Sequence, residues 1–163
     1  MQYEPFYVIN LEIPRDCDDL QQCLDSFFHK RVVKDYQHQG RRVHASHRQL
    51  ISKLPNVLCI HLKRFIWVDH LIKMKDFVAF EPIIEIQNEW LAANLQSNKK
   101  KEYRLFSVVE HIGEWAHRGH YINYALDAND DWKKFDDTKI NVRDLDSVQN
   151  TAQAYILFYE LVY

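Results

Sequence analysis

The chain has 163 residues, 47% apolar and 13% aromatic, with three glycines and four prolines, a composition that builds a packed core and excludes a disordered chain. Its formal charge of −2 gives no electrostatic basis for binding nucleic acid or an anionic membrane, and no apolar run approaches the ~20 residues that span a bilayer. A single domain, or a piece of a larger one, is the expectation for this length.

Along residues 6–13 the apolar positions Phe6, Val8, Ile9, Leu11 and Ile13 nearly alternate, so a half-buried strand is predicted, ended by Pro14. Leu20, Cys23, Leu24, Phe27 and Phe28 then fall at helical spacing, and Asp18 with Gln21 fits a capping box, which predicts a helix over 18–30. Residues 31–53 are polar, with short strand-like pieces at Val32-Val33 and over 44–51. Leu54-Pro55 leads into Val57-Leu58-Cys59-Ile60-His61-Leu62, a continuous apolar run suited to a strand buried on both faces. A strand interrupted by Pro82 is expected over 77–86, a short helix over 89–95, strands over 103–111, 119–127 and 153–162, and a helical turn over 144–149. The order strand, helix, many strands defines an α+β class with a largely antiparallel sheet.

Cys17, Cys23 and Cys59 are odd in number and form no CxxC pair, so a reducing, intracellular setting, cytoplasmic or nuclear, is expected in place of a disulfide framework. Residues 1–5, Met-Gln-Tyr-Glu-Pro, do not read as a secretory leader. Lys99-Lys100-Lys101 reads as a solvated loop.

The chemistry-bearing pair is His120 and Asp136. His120 follows Gly119, a residue that lets a second backbone approach closely. An imidazole can hold a thiolate, and it needs an acceptor on its other nitrogen to set tautomer and orientation, which Asp136 can provide. Spacing alone leaves a chance pairing open, since the chain has nine histidines.

Longer stretches narrow the reading. Residues 54–65, Leu-Pro-Asn-Val-Leu-Cys-Ile-His-Leu-Lys-Arg-Phe, resemble the LPxVLxIHLKRF signature of the ubiquitin-specific proteases, papain-like cysteine deubiquitinases. Residues 103–113 resemble that family's strand before its histidine box, and Gly119-His120-Tyr121, Tyr124, Trp132, Phe135-Asp136-Asp137 and Ala154 to Tyr159 resemble the box and the closing strand. The resemblance covers essentially the whole chain and corresponds to the C-terminal part of the catalytic domain: residues 31–53 within the fingers, 54–163 mainly palm, the thumb lobe absent. It implies His120 as general base, Asp136 as its orienter and Asp137 as a possible auxiliary carboxylate. Phe65, Gly119 and Tyr121 would line the channel for ubiquitin's glycine-ended tail, with residues 114–118 as the loop closing over it.

No cysteine here stands in the setting of the family's N-terminal nucleophile box, and Cys59 reads as a small buried hydrophobe. The implied activity is therefore part of a thiol-dependent hydrolysis after ubiquitin's terminal glycine, inactive without the missing N-terminal half, with ubiquitin and ubiquitinated proteins as partners. The rival reading is a non-catalytic ubiquitin-binding or scaffold protein of the same fold; a fragment of another papain-like hydrolase is a distant third. Segment 34–45 lacks the second CxxC pair of metal-binding fingers, and His38, His44 and His47 do not supply four zinc ligands, so the resemblance is to the zinc-free subgroup, with no metal or cofactor.

Overall fold

A computed structural model describes residues 3–163. Its elements in chain order are β1 (Ile9–Leu11), α1 (Leu20–Phe28), β2 (Arg31–His38), β3 (Arg41–His47), β4 (Val57–Leu62), β5 (Phe65–Trp67), β6 (Leu71–Lys73), β7 (Ile83–Glu85), a 3₁₀ turn (Asn88–Trp90), β8 (Glu102–Trp115), β9 (Arg118–Leu126), β10 (Trp132–Asp136), β11 (Lys139–Val142), α2 (Leu145–Thr151) and β12 (Ala154–Leu161). One sheet of eight strands runs β1-β4-β12-β8-β9-β10-β11, with β7 also paired to β8. Only β1 and β4 run parallel; the other pairs in the sheet are antiparallel. This is the α+β class expected. Among the described residues no helix is long and apolar enough to cross a membrane.

The core forms where β4, β12 and β8 lie side by side. Ile60 pairs with Leu157 and Leu157 with Val108, and all three are buried together with Leu11, Leu62, Tyr103 and Tyr159. The two buried phenols keep a polar partner, Tyr103 donating to the Pro55 carbonyl at 2.6 Å and Tyr159 to that of Glu81 at 2.9 Å, as buried hydroxyls must. Arg64 is also buried; its Nε donates to the carbonyl of Ala154 at 2.7 Å and its Nη1 to those of Asp76 at 2.7 Å and Met74 at 3.4 Å. A single guanidinium thus ties the segment just after β4 to the start of β12 and to segment 74–76.

The predicted apolar stripe of α1 is the buried one, through Leu20, Cys23, Leu24 and Phe28. The cap, however, is Asp19 and not Asp18: its carboxylate accepts from the Gln22 amide at 2.7 Å. The reason is tertiary. The Asp18 carbonyl accepts from the Ala79 amide and the Ala79 carbonyl from the Leu20 amide, both at 2.8 Å, so the backbone stays extended one residue longer.

The same kind of competition corrects other expectations. The helix expected over 89–95 is one 3₁₀ turn, because Trp90 and Ala92 exchange backbone hydrogen bonds with Ile51 at 2.8 and 2.9 Å. The strand expected over 77–86 shrinks to β7, since Ala79 pairs with α1's leader and Pro82 has no amide to donate. The strand piece at 44–51 belongs to β3, which ends at His47. β2 and β3 form a longer hairpin than 31–53 implied. Its two-residue loop, Gln39 and Gly40, has φ of 49° and 75°, the paired positive values of a type I′ turn. β5–β6 and β10–β11 are hairpins the sequence pattern did not predict.

Candidate active site

His120 lies on β9, paired with Ile112 of β8. Asp136 ends β10, one step beyond the Phe135–Asn123 pair, which puts it opposite Ile122 and diagonal to His120 on one face. The diagonal is closed by a hydrogen bond of 2.6 Å between His120 Nε2 and Asp136 Oδ1. An ionised carboxylate only accepts, so Nε2 is the protonated nitrogen. Nδ1 makes no hydrogen bond among the described residues. Both side chains remain reachable from solvent, at 41% and 31% exposure.

Asp136 is held as a carboxylate. The hydrogen bond from His120, then that from Lys134 at 3.2 Å to the other oxygen, keep it below the usual carboxylate range. Lys134 precedes Asp136 by two residues on a strand, so their side chains share a face. Asp137 is the exposed first residue of the turn after β10, at φ 52°. Donor atoms of His120, Asp136 and Asp137 lie within 4.8 Å of one another, a span that can take a divalent cation. Both Asp136 oxygens already accept hydrogen bonds, one from an ammonium that opposes a second cation, so the set is better described as a hydrogen-bonded dyad with a neighbouring carboxylate.

Phe65, Gly119 and Tyr121 also come together, around a residue given no role from the sequence. His111, paired with Tyr121 across β8–β9, is 3% exposed. Its ring centroid lies 5.5 Å from Phe65, 4.8 Å from Tyr121 and 6.0 Å from Tyr155. A Cβ on Gly119 would sit 2.0 Å from His111 Nε2 and 2.7 Å from the Ile112 carbonyl oxygen. Gly119→Ala is therefore expected to cost about 1–3 kcal/mol by overpacking, read from chemical denaturation.

His111 also sets a pH dependence. Burial, and then the nearby Lys73, lower its pKa from 6.5, and its Nδ1 is buried without a partner among the described residues. Burial and then Lys63 do the same to His61. A histidine neutral in the fold and protonated when unfolded removes stability as pH falls. Melting temperature should therefore drop as pH is lowered from 7 through 6.5 toward 5, and His111→Gln should flatten that slope.

The cysteines stand apart from the dyad. Cys59 on β4 pairs with Phe158 of β12, and β12 and β8 separate it from β9, roughly 14 Å at ~4.8 Å per strand. It is half-buried, not fully enclosed as expected. Burial raises all three thiols, Cys23 to about 12, so none is a ready thiolate.

Comparison with known proteins agrees with this architecture. The family description "Ubiquitin carboxyl-terminal hydrolase" matches residues 10–159, and the chain belongs to that family. It is 32% identical to ubiquitin carboxyl-terminal hydrolase 36 of Drosophila mojavensis, over 98% of this chain and 13% of that protein. It is 31% identical to ubiquitin carboxyl-terminal hydrolase 8 of Saccharomyces cerevisiae, over 97% of this chain and 36% of that one. A solved SAGA DUB module containing Ubp8 bound to monoubiquitin superposes with a TM-score of 0.87 at 30% identity, covering 98% of this chain and 36% of the other. The chain thus spans about a third or less of these relatives, and its fold is their papain-like α+β fold.

Proposed function

We propose that the chain is the C-terminal portion of a ubiquitin-specific protease catalytic domain, residues 31–53 contributing to the fingers and 54–163 mainly to the palm. The observation that carries this is the 2.6 Å contact of His120 Nε2 with Asp136, which leaves Nδ1 free for a thiol. The nucleophile comes from a segment N-terminal to this chain, since its own thiols are distant or raised. His120 Nδ1 takes the thiol proton, and the thiolate attacks the carbonyl carbon of ubiquitin's last glycine. The imidazolium, stabilised by Asp136, returns the proton to the departing lysine amine. A water then repeats the sequence on the thioester. Asp137 is the auxiliary acceptor beside the dyad; Phe65, Gly119 and Tyr121 form the wall for the glycine-ended tail. Ubiquitin conjugates are the substrate, inside the cell, without metal.

The second reading is a ubiquitin-binding scaffold that performs no hydrolysis, favoured by the lack of a thiolate among Cys17, Cys23 and Cys59. Incubating the full-length protein with a ubiquitin probe bearing a thiol-reactive C-terminus separates the two. A covalent adduct on a cysteine preceding this chain supports the enzyme. Ubiquitin binding without an adduct supports the scaffold, and neither binding nor adduct overturns both.

A further inference from the structure

β8 outruns its neighbour. Its pairing with β12 stops at Glu110–Ala154, and beyond that point the carbonyls of His111 and Gly113, two residues apart, face the same vacated edge. Carbonyls left on such an edge need another donor. That donor is Lys73, the last residue of β6, whose ammonium donates to His111 O at 2.6 Å and to Gly113 O at 2.8 Å.

Past Ile112 the β8–β9 hairpin is held less regularly, its ladder resuming only at Trp115–Arg118. Gly113 sits at φ +133°, where a Cβ would meet the Arg118 carbonyl oxygen and Gly119 Cα at 3.0 Å each. Ile112, just before Gly113, is the cross-strand partner of His120. The neighbouring link, Lys75 to Glu114 at 2.7 Å, is an ion pair with both side chains more than 60% exposed, a kind that holds little.

We propose that Lys73 is a positioning residue: its ammonium takes the place of a missing strand on the outer edge of β8 and holds the hairpin end so that His120 stays in register with Asp136. The catalytic consequence rests on the deubiquitinase reading; the structural claim does not. Lys73 touches no reacting atom and acts through Gly113, Ile112 and the strand that carries the imidazole. A charge-assisted donor shared by two carbonyls is stronger than a neutral backbone bond, which suits it to a segment with a glycine at each side of the turn.

The test is amide hydrogen exchange on the full-length protein that contains this chain, comparing Lys73→Met, Lys75→Ala and the unsubstituted form. Lys73→Met should speed exchange of amides 112–120 by about tenfold or more, leave amides 105–109 within about twofold, and broaden the His120 Nε2 proton resonance. Lys75→Ala should change none of these by more than about twofold. Equal behaviour of the two variants, or a uniform acceleration that includes 105–109, overturns the proposal. If Lys73→Met does not fold, the side-chain ¹⁵N resonance of Lys73 in the unsubstituted form decides. Slowly exchanging ammonium protons support the clamp, and free, fast-exchanging ones overturn it. Ubiquitin enters neither measurement, so failure here and failure of the probe experiment are separate results.

Discussion

His120→Ala should lower turnover of a ubiquitin C-terminal amide substrate by at least about 10³-fold in the protein that carries the nucleophile, with KM changed by less than about threefold. General acid–base groups contribute about 10²–10⁴, and on the proposed reading one imidazole would both take the thiol proton and return it to the amine. On that reading the imidazole acts only at the scissile bond, so its loss should fall on kcat. Asp136→Asn sharpens the test. Lys134, a donor on the other oxygen, draws an asparagine's oxygen to itself and turns the NH2 toward Nε2, which favours the tautomer with the proton on Nδ1, the wrong nitrogen for accepting one from a thiol. A loss of about 10²–10⁴ is expected, with ubiquitin affinity retained. If Asp136→Asn leaves kcat within about twofold, the 2.6 Å contact orients nothing that matters.

The largest loss of stability should come from Arg64→Met, about 3–5 kcal/mol, measured by urea denaturation. The methionine keeps an apolar stem of similar reach but leaves the carbonyls of Ala154, Asp76 and Met74 without the donor that satisfies them. The acceptor of Ala154 is buried and those of Met74 and Asp76 are part-buried; orphaning a buried one costs about 1–3 kcal/mol, against a total of about 5–15 kcal/mol for a domain. Melting should fall by roughly 10 °C. Arg64→Lys should recover little, since one ammonium cannot reproduce the planar fork that spans separate backbone segments. A change below about 1 kcal/mol in either variant would mean that water replaces the guanidinium there.

How much of this was legible in the sequence depended on whether local pattern and tertiary demand agreed. Leu20, Cys23, Leu24 and Phe28 repeat at helical spacing and bury that very face. The run 57–62, the alternation in 103–111 and 119–127 and the closing segment 153–162 became β4, β8, β9 and β12. Agreement failed where a distant backbone recruited a segment: Ala79 moved the cap from Asp18 to Asp19, and Ile51, bonded to the backbone of Trp90 and Ala92, stopped a 3₁₀ turn at Trp90 where a longer helix was expected. β10 and β11 escaped notice because Lys133, Lys134 and Asp136 interrupt any apolar alternation. At the site, His120 and Asp136 could be paired only through motifs, because their contact is diagonal across two strands and leaves no spacing rule. Lys134 was accessible in principle, two residues from Asp136 on a strand. Lys73 was not, because a lysine that caps backbone carbonyls looks like any surface lysine until the register of β8 against β12 is known.

The place of β12 carries a consequence for synthesis. The strand at the end of this sequence, Ala154–Leu161, occupies the middle of the sheet, between β4 and β8. During translation the edge formed by β1 and β4 and the meander from β8 to β11 both emerge before the segment that joins them, each presenting a raw backbone border. Native pairing must wait for that segment to clear the ribosome, so a stop codon before it yields two half-sheets with nothing between them, a substrate for chaperones and proteases.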